Sequence, residues 1–423
     1  MKIAFVTQPG HAVVPPTGSL ELWTDQVARR LAARHEVTIY GSQPPSPGSP
    51  PDDGIVYRLI RHSRGRRLVR AVRGAWRLLP PTKPFYASLL HPLEYWLKVA
   101  ADIRRHKHDV VHVYNYSQAL RILRPLTSAK LVLHMQCEWL TQLDARMIDR
   151  NLQHADLIVG CSDHITNLVR KRFPHHAARC ATIYNGVEID VKRVDGAPAR
   201  GEEIRLLNVG RVSPEKGLHV LVDALELLVT EYPRIGLTIL GEESPVPYEF
   251  AVKVSDDDLV KNLARFYGGS YLQHLRDRMS EDVSQRVHFV SRVSHDEALR
   301  FYEDADIFVY PSIFESFAIP PVEAMAAGVP VVASRVGGMQ ETIVDERTGL
   351  FVDREDPAAL AAALRRLIED PRLRRSLGDA GSVRAAEMFS WPRIVADVEA
   401  AFSAILERPT AAAGRSVELV GLE

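Results

Sequence analysis

Short apolar runs alternate along the whole chain with longer stretches in which apolar residues recur at helical spacing. This alternation is typical of parallel sheets covered by helices, so the predicted class is α/β. Seven runs in the first half predict strands, at Ile3–Thr7, Glu36–Tyr40, Val56–Ile60, Asp109–Val113, Leu131–His134, Asp156–Gly160 and Thr182–Tyr184. Six runs in the second half predict strands, at Ile204–Val209, Leu237–Leu240, Val287–Val290, Ile307–Tyr310, Val329–Ala333 and Gly349–Val352.

A polar stretch without periodicity, VEIDVKRVDGAPARGEE at residues 187–203, separates the two series of strands and predicts a linker. We therefore expect two open α/β domains of similar size, residues 1–188 and 203–390. The helix predicted at 391–408 could pack on either domain, and we expect it to join the first. The tail, residues 409–423, is expected to be flexible.

Composition places the chain among ordinary globular proteins, with 46% hydrophobic and 25% charged residues. Lys plus Arg and Asp plus Glu both number 53, so no global charge attracts the protein to nucleic acid. The three cysteines, Cys137, Cys161 and Cys180, are odd in number and lack zinc-site spacing. No signal peptide or membrane-spanning run is evident, so we expect a cytoplasmic protein.

Two segments interrupt the regular pattern. Part of residues 242–270 is an insertion at the carboxyl end of a strand, where open α/β sheets bind ligands, and could form a lid. Residues 54–93 contain no acidic residue, and Arg66, Arg70, Arg73 and Arg77 occupy one face of an amphipathic helix. This helix is either a solvated surface helix or a contact for an anionic acceptor or the inner membrane face.

The strongest candidate chemistry lies at residues 310–333, YPSIFESFAIPPVEAMAAGVPVVA, which predict a strand, a loop, a helix and a second strand. The helix should begin at Pro320 and Pro321 and end at Gly328. Glu315 then falls in the loop and Glu323 in the first helical turn. The amides of the helix start can point at an anion, and they belong to Phe317, Ala318 and Ile319. A phosphate site flanked by carboxylates that bind hydroxyls indicates a nucleotide-sugar site.

These residues also carry a family resemblance. Glu315 to Glu323, within ESFAIPPVEAMAAGVPVVAS, resembles the E-x7-E motif of the retaining glycosyltransferases of family 4, which have the GT-B fold. Gly210-Arg211 followed by Glu215-Lys216-Gly217 resembles that family's G-R-x4-K-G diphosphate clamp. The resemblance is nearly continuous from Ile204 to Phe389. It implies two facing Rossmann-like domains with the active site in the cleft between them.

The resemblance implies a role for each matched residue. Arg211 and Lys216 would neutralise the leaving nucleoside diphosphate without a metal ion or a cofactor. Glu315 would contact the hydroxyls of the donor sugar, and Glu323 the ribose. Arg292 and Val293 would lie beside the base. The expected co-substrate is a nucleoside diphosphate sugar, with UDP or GDP as its nucleotide.

In the first domain, PPTGSLE at residues 15–21 resembles the Gly-rich loop after the family's first strand, with Ser19 in place of the usual second glycine. Gly18 is either a plain turn glycine or the point where the backbone approaches the diphosphate. His134 aligns with a histidine that reaches the donor sugar in the family. The acceptor, whether a small molecule, a saccharide or a lipid-linked compound, stays open. Its candidate contacts follow the His134 strand: Gln136, Glu138, Trp139 and Asp144.

Some loops depart from the family pattern around the donor base and sugar. Ala318 replaces a glycine, Ser291 replaces another before Arg292, and Glu242 lies in a loop that differs from the usual G-x-G-P. The run Asp256-Asp257-Asp258 suggests a metal site, but Ser255 before it and the apolar pattern after it predict a helix start. We therefore expect no metal.

The resulting hypothesis is a glycosyltransferase that moves a sugar to an acceptor hydroxyl or amine with retention of anomeric configuration. The alternatives are a sugar-phosphate synthase or repurposed coupling enzyme on the same scaffold, and a non-catalytic nucleotide-sugar binder.

Overall fold

A computed structural model describes residues 1–9, 18–42, 54–61, 76, 79–189 and 203–408. The chain divides into two compact units, Met1–Tyr184 with the segment from Ile394 onward, and Asn185–Arg393. Several predictions fall outside the described residues: the loop at 43–53, the basic helix at 66–77 except Trp76, most of the linker, and the tail from 409.

The N-terminal unit contains a sheet of seven parallel strands in the order β3-β2-β1-β4-β5-β6-β7. Its strands are β1 Lys2–Val6, β2 Glu36–Gly41, β3 Ile55–Leu59, β4 Val110–Tyr114, β5 Lys130–Met135, β6 Leu157–Gly160 and β7 Cys180–Thr182. Every residue of β4, β5 and β6 is buried. This explains why these strands read as continuous apolar runs rather than alternating ones.

The helices of this unit connect the parallel strands. The α-helices are Ser19–Ala32, Leu93–His106, Ala119–Leu123, Trp139–Gln142, Ala145–Leu152 and Asp163–Arg172, and the 3₁₀ helices are Phe85–Ala87, Arg124–Leu126 and Pro174–Arg179. The last helix of the chain, Trp391–Leu406, begins in the C-terminal unit and continues in the N-terminal one. There Glu399 accepts hydrogen bonds from Arg34 and His35, and Phe402 packs edge-on against His112.

The C-terminal unit contains six parallel strands in the order β10-β9-β8-β11-β12-β13. They are β8 Ile204–Val209, β9 Ile235–Leu240, β10 Val287–Val290, β11 Ile307–Tyr310, β12 Val331–Ser334 and β13 Gly349–Val352. Its α-helices are Leu218–Glu226, Asp258–Asn262, Tyr271–Arg278, Glu281–Ser284, His295–Asp304, Ile319–Ala326, Met339–Thr342, Pro357–Glu369 and Pro371–Phe389, and its 3₁₀ helices are Pro214–Lys216, Tyr248–Phe250, Val252–Val254 and Leu263–Phe266. The α/β prediction is confirmed, and all thirteen predicted strands are present with bounds within two residues.

The second part of the insertion after β9, residues 252–266, belongs to the core of the domain. Val252, Val260, Leu263 and Phe266 are buried in the hydrophobic core of the C-terminal unit. The aspartate run within it starts a helix, as predicted, with Asp257 as the N-cap that accepts from the Leu259 amide at 2.9 Å. Asp257 also pairs with Arg354 at 2.6 Å, so this carboxylate is already neutralised by a cation.

Both sheets reverse their strand order once. In the C-terminal unit the reversal lies between β8 and β11, and in the N-terminal unit between β1 and β4. Open α/β sheets bind ligands at the carboxyl ends of the strands that flank such a reversal. In the C-terminal unit, a ligand is therefore expected at the loops after β8 and β11.

Candidate active site

A buried cation lies at the reversal point of the C-terminal sheet. Lys216 Nζ donates hydrogen bonds to Glu315 Oε1 and to the Tyr310 hydroxyl, the latter at 2.9 Å. The side chains of Lys216 and Glu315 are only 12% and 11% exposed. Burial alone would lower the pKa of Lys216, but the negative charge of Glu315 outweighs it and holds this pKa above its ordinary value. Lys216 is therefore charged at neutral pH.

Gly217 explains how the chain brings Lys216 to this position. Its φ is +65°, and a Cβ at this position would overlap the carbonyl oxygen of Pro311. The backbones after β8 and β11 also meet where the Ile313 amide donates to the Glu215 carbonyl at 2.8 Å. A side chain at position 217 would push these two loops apart, so the Lys-Gly pair of the predicted clamp has a structural reason.

Arg211, the other predicted clamp cation, follows β8 directly. Its guanidinium donates to Glu215 Oε1 at 2.9 Å, and the Arg211 side chain is 46% exposed while Glu215 is buried. Ser213 also donates to Glu215. Glu215 thus orients Arg211 from beneath while one side of the guanidinium stays open to solvent, where it can bind an anion.

The loop after β11 leads into the helix Ile319–Ala326 through a strained residue. Ala318 has φ +68° and ψ 93°, a conformation that residues other than glycine rarely adopt. Pro320 and Pro321 have no amide hydrogen, and within the described chain the amides of Ala318 and Ile319 donate no hydrogen bond. The helix start thus retains two of the three predicted donors, the amides of Ala318 and Ile319, with no partner in the described chain. Gly328, with φ +72°, follows the end of the helix.

Glu323 lies in the second turn of this helix, not in the first as predicted, because the helix begins at Ile319. Its carboxylate is buried between two donors, the His295 imidazole at 2.9 Å and the Tyr302 hydroxyl at 2.7 Å. Burial raises the pKa of Glu323 above its ordinary value of 4.5. Glu315 and Glu323 thus have separate partners, a lysine for one and a histidine and a tyrosine for the other.

His295 and Tyr302 were missed by sequence reasoning. Both belong to the helix His295–Asp304, which starts with a capping box between Ser294 and Glu297. That capping box is a readable helix signal, but nothing in the local sequence relates this helix to a carboxylate more than 20 residues further along the chain. Arg292, just before this helix, lies 3.4 Å from Glu242 on the exposed surface, and Val293 is half-buried.

In the N-terminal unit, His134 ends β5 and is fully buried. Its Nδ1 lies 3.2 Å from His112 Nε2, and its Nε2 lies 3.1 Å from Gln136 Nε2. Trp23 packs edge-on against the imidazole with ring centroids 4.8 Å apart. Burial lowers the pKa of His134 to about 3, so the ring is neutral at physiological pH. His134 and Gln136 therefore form one neutral polar cluster with His112.

The other predicted acceptor residues are dispersed. Glu138 pairs with His164 at 3.0 Å, and Trp139 packs against Tyr86 with ring centroids 4.7 Å apart. Asp144 caps the helix Ala145–Leu152 and lines a separate cavity. Gly18 is exposed at the start of the helix Ser19–Ala32, with φ −159°, an extended conformation open to any residue.

One cluster within the described chain has the composition of a metal site: Asp149, His175 and His176. Asp149 Oδ1 lies 2.6 Å from His175 Nε2 and 3.0 Å from His176 Nε2. Arg179 donates to His176 Nδ1, which places the ring proton of His176 on Nε2, facing the carboxylate. These contacts form a hydrogen-bonded cluster in which His176 is in the wrong tautomer to bind a metal through Nε2.

Comparison with known proteins assigns both halves of the chain. Residues 20–191 match the family model described as Glycosyltransferase Family 4, and residues 194–384 match that of Glycosyl transferases group 1. Spore coat protein SA of Bacillus subtilis strain 168 is 26% identical over 93% of this chain and 97% of its own length. D-inositol 3-phosphate glycosyltransferase 2 of Catenulispora acidiphila is 26% identical over 95% of this chain and 92% of its own.

The fold has solved counterparts. Anabaena HepE, determined in complex with UDP and glucose, aligns with a TM-score of 0.68 and 20% identity over 95% of this chain and 99% of its own. No helix within the described residues combines the length and apolar character needed to cross a membrane. The two family matches, one on each Rossmann-like unit, show that this chain is a glycosyltransferase of the GT-B type.

Proposed function

We propose that this protein transfers a sugar from a nucleoside diphosphate sugar to an acceptor hydroxyl or amine, with retention of anomeric configuration. The observation that carries the proposal is the buried, charged Lys216 at the reversal point of the C-terminal sheet, between Glu315 and Tyr310. A cation in this place neutralises the negative charge that grows on a departing diphosphate. Arg211, oriented by Glu215, supplies a second positive charge.

The remaining donor contacts follow from the same loops. The amides of Ala318 and Ile319 would donate hydrogen bonds to a phosphate oxygen. Glu315 would accept hydrogen bonds from the hydroxyls of the sugar, and Glu323 from those of the ribose. Arg292 and Val293 would border the base. UDP is favoured over GDP by the UDP and glucose bound to Anabaena HepE. The contacts of Gly18 with the diphosphate and of His134 with the sugar are proposed from the family resemblance alone.

Retention is proposed through attack on the same face that the diphosphate leaves. The bond from the anomeric carbon to the phosphate oxygen breaks, the acceptor oxygen or nitrogen bonds to that carbon, and the acceptor proton passes to the departing phosphate. Glu315 is a poor nucleophile because it is held by Lys216 and by the Ser312 hydroxyl at 2.9 Å. Two cations can stabilise the leaving group without a metal.

The test is binding of UDP, GDP, TDP and ADP, with and without EDTA, to the wild type and to Glu323→Ala by thermal shift. We expect one nucleotide to stabilise the wild type by about 2.7 kcal/mol at 100 times its Kd, unchanged by EDTA and reduced in Glu323→Ala. The absence of any shift would favour a decayed binder, and a shift abolished by EDTA would contradict metal independence. Anomeric analysis of the product by NMR distinguishes retention from inversion, and identifying the acceptor separates transfer from sugar-phosphate synthesis.

A further inference from the structure

A cavity of about 320 Å³ in the N-terminal unit is bordered mainly by cations and apolar groups. Four of its lining residues are basic and come from three separate segments of the chain: Lys83, Arg121, Arg146 and Arg150. Asp144 is the only carboxylate among the described residues of the lining. The cavity therefore has an excess of positive charge in a chain whose net charge is zero.

Little of this positive charge is neutralised by the protein. Asp144 accepts from the Met147 amide at 2.9 Å and pairs with Lys83 at 3.4 Å. Within the described chain, the exposed guanidinium groups of Arg121, Arg146 and Arg150 form no hydrogen bond or ion pair. The nearby Arg124 behaves differently, because it pairs with Asp156 and donates to carbonyl oxygens. Of the three, Arg146 has an electrostatic effect on Asp144, whose pKa it helps to lower. The three positive charges border one cavity, where an anion would be attracted to all of them.

Apart from Ser88, the remaining described lining residues are apolar. Trp76 donates from Nε1 to the Lys83 carbonyl at 2.9 Å and packs edge-on against Phe85, with ring centroids 5.4 Å apart. Pro84 and Met147 also line the cavity. A bare inorganic ion would use only the guanidinium side. The combination fits an anion attached to an organic body, with Asp144 able to accept from a hydroxyl of that body.

We propose that this cavity binds the phosphate group of a phosphate ester, and that this ester is the acceptor of the transfer. The second half rests on the proposed function, whereas binding does not. Arginine is suited to this task because its planar guanidinium binds phosphate oxygens in a bidentate manner. The volume accommodates a phosphate with a sugar or polyol attached.

The experiment measures binding by calorimetry of glucose 6-phosphate and inositol 3-phosphate, each against its dephosphorylated counterpart, to the full chain. The variant is Arg121→Gln with Arg146→Gln. The matched control is Arg104→Gln with Arg105→Gln, two exposed arginines on the helix Leu93–His106 that line no part of the cavity. We expect at least one ester to bind, its parent compound to bind at least tenfold more weakly, and the variant to lose about 30-fold in affinity while the control stays within twofold.

Sedimentation with vesicles of phosphatidic acid, against phosphatidylcholine, distinguishes the source of the phosphate. Retention on phosphatidic acid that the variant loses assigns a lipid phosphate, and binding of the soluble esters alone assigns a soluble acceptor. Esters that bind no better than their parent compounds, with no retention on phosphatidic acid, overturn the site. Binding that the variant leaves unchanged also overturns it.

UDP binding, measured on the same samples, keeps this inference separate from the proposed function. We expect the cavity variant to bind UDP as the wild type does, because none of the cavity residues belongs to the C-terminal unit. A wild type that binds the ester but no nucleotide refutes the donor proposal and leaves the site. A wild type that binds both but does not glycosylate the ester refutes only the acceptor role.

Discussion

Replacing Lys216 by Met should destabilise the C-terminal unit, because the buried carboxylate of Glu315 loses its cation. Replacing Glu315 as well should restore most of the lost stability. Methionine keeps the apolar stem against Tyr310, whose ring centroid lies 5.3 Å from Nζ, and removes only the charge and the donors. Glu315 would keep its bond from Ser312 but lose its only cationic partner among the described residues. The double variant Lys216→Met/Glu315→Gln removes both charges together.

The expected magnitude follows from burial. Breaking a fully buried ion pair from one side costs about 3–5 kcal/mol, and an exposed pair contributes about 0–1 kcal/mol. Because the side chains of Lys216 and Glu315 are 12% and 11% exposed, we expect the lower end of the buried range, about 3 kcal/mol. For a unit of about 200 residues, this corresponds to a fall in Tm of roughly 6–12 °C. The double variant should lie within about 1 kcal/mol of the wild type.

Thermal and urea unfolding of the four proteins of this cycle give the result directly. The matched control is Lys261→Met, whose pair with Asp258 is 48% and 90% exposed and should contribute under about 0.5 kcal/mol. If Lys216→Met were as stable as Lys261→Met, or if the double variant lost as much as the two single variants together, the reasoning from a coupled buried pair would be wrong. UDP binding to Lys216→Met tests the proposed ligand role separately. We expect its binding free energy to weaken by about 1.5–3 kcal/mol.

Three further perturbations probe the backbone and the second carboxylate. Gly217→Ala should lower UDP affinity at least about tenfold in titrations, because the new Cβ would overlap the Pro311 carbonyl oxygen. The control Gly268→Ala, at a position with open space around it, should have no effect. Ala318→Gly should keep or raise stability by up to about 1 kcal/mol, and Ala318→Val should lower it by about 2 kcal/mol, in urea unfolding; equal effects would argue against strain at φ +68°. Burial raises the pKa of Glu323 above 4.5. The free energy of unfolding of the wild type, relative to that of Glu323→Gln, should therefore fall as the pH rises from about 4.5 through that raised pKa. Parallel pH profiles of stability for the two proteins would contradict this expectation.

Local patterns were sufficient to predict the elements of the fold. The strands β8, β10, β11 and β13 were predicted with the bounds the structure shows, because each is a mainly apolar run between polar segments. The strands β7 and β12 were displaced by up to two residues, since the residues next to them are also apolar or β-branched and periodicity does not mark where hydrogen bonding stops. The insertion was predicted by length alone. Its burial in the core could not be predicted, because burial depends on which other elements pack against it.

The clamp motif predicted Arg211 and Lys216 as functional residues but not which side chains hold them. Lys216 and Glu315 are 99 residues apart, and their contact exists because β8 and β11 are neighbours in the sheet. The strand order that makes β8 and β11 neighbours is a property of the tertiary fold, so it could not be predicted from spacing along the chain. His295 and Tyr302 illustrate the same limit, since they approach Glu323 from a separate helix.

Ala318 shows how a departure from a family pattern can be read physically. The family usually has a glycine at this position, and the structure places this residue at positive φ, where glycine has no steric cost and alanine does. The strain is maintained because both sides of the residue are fixed: Glu315 by Lys216 before it, and the helix by Pro320 and Pro321 after it. In the proposed donor site, this strain would hold the amides of Ala318 and Ile319 in place before the nucleotide binds. Replacing Ala318 by glycine should therefore weaken nucleotide binding even where it stabilises the fold.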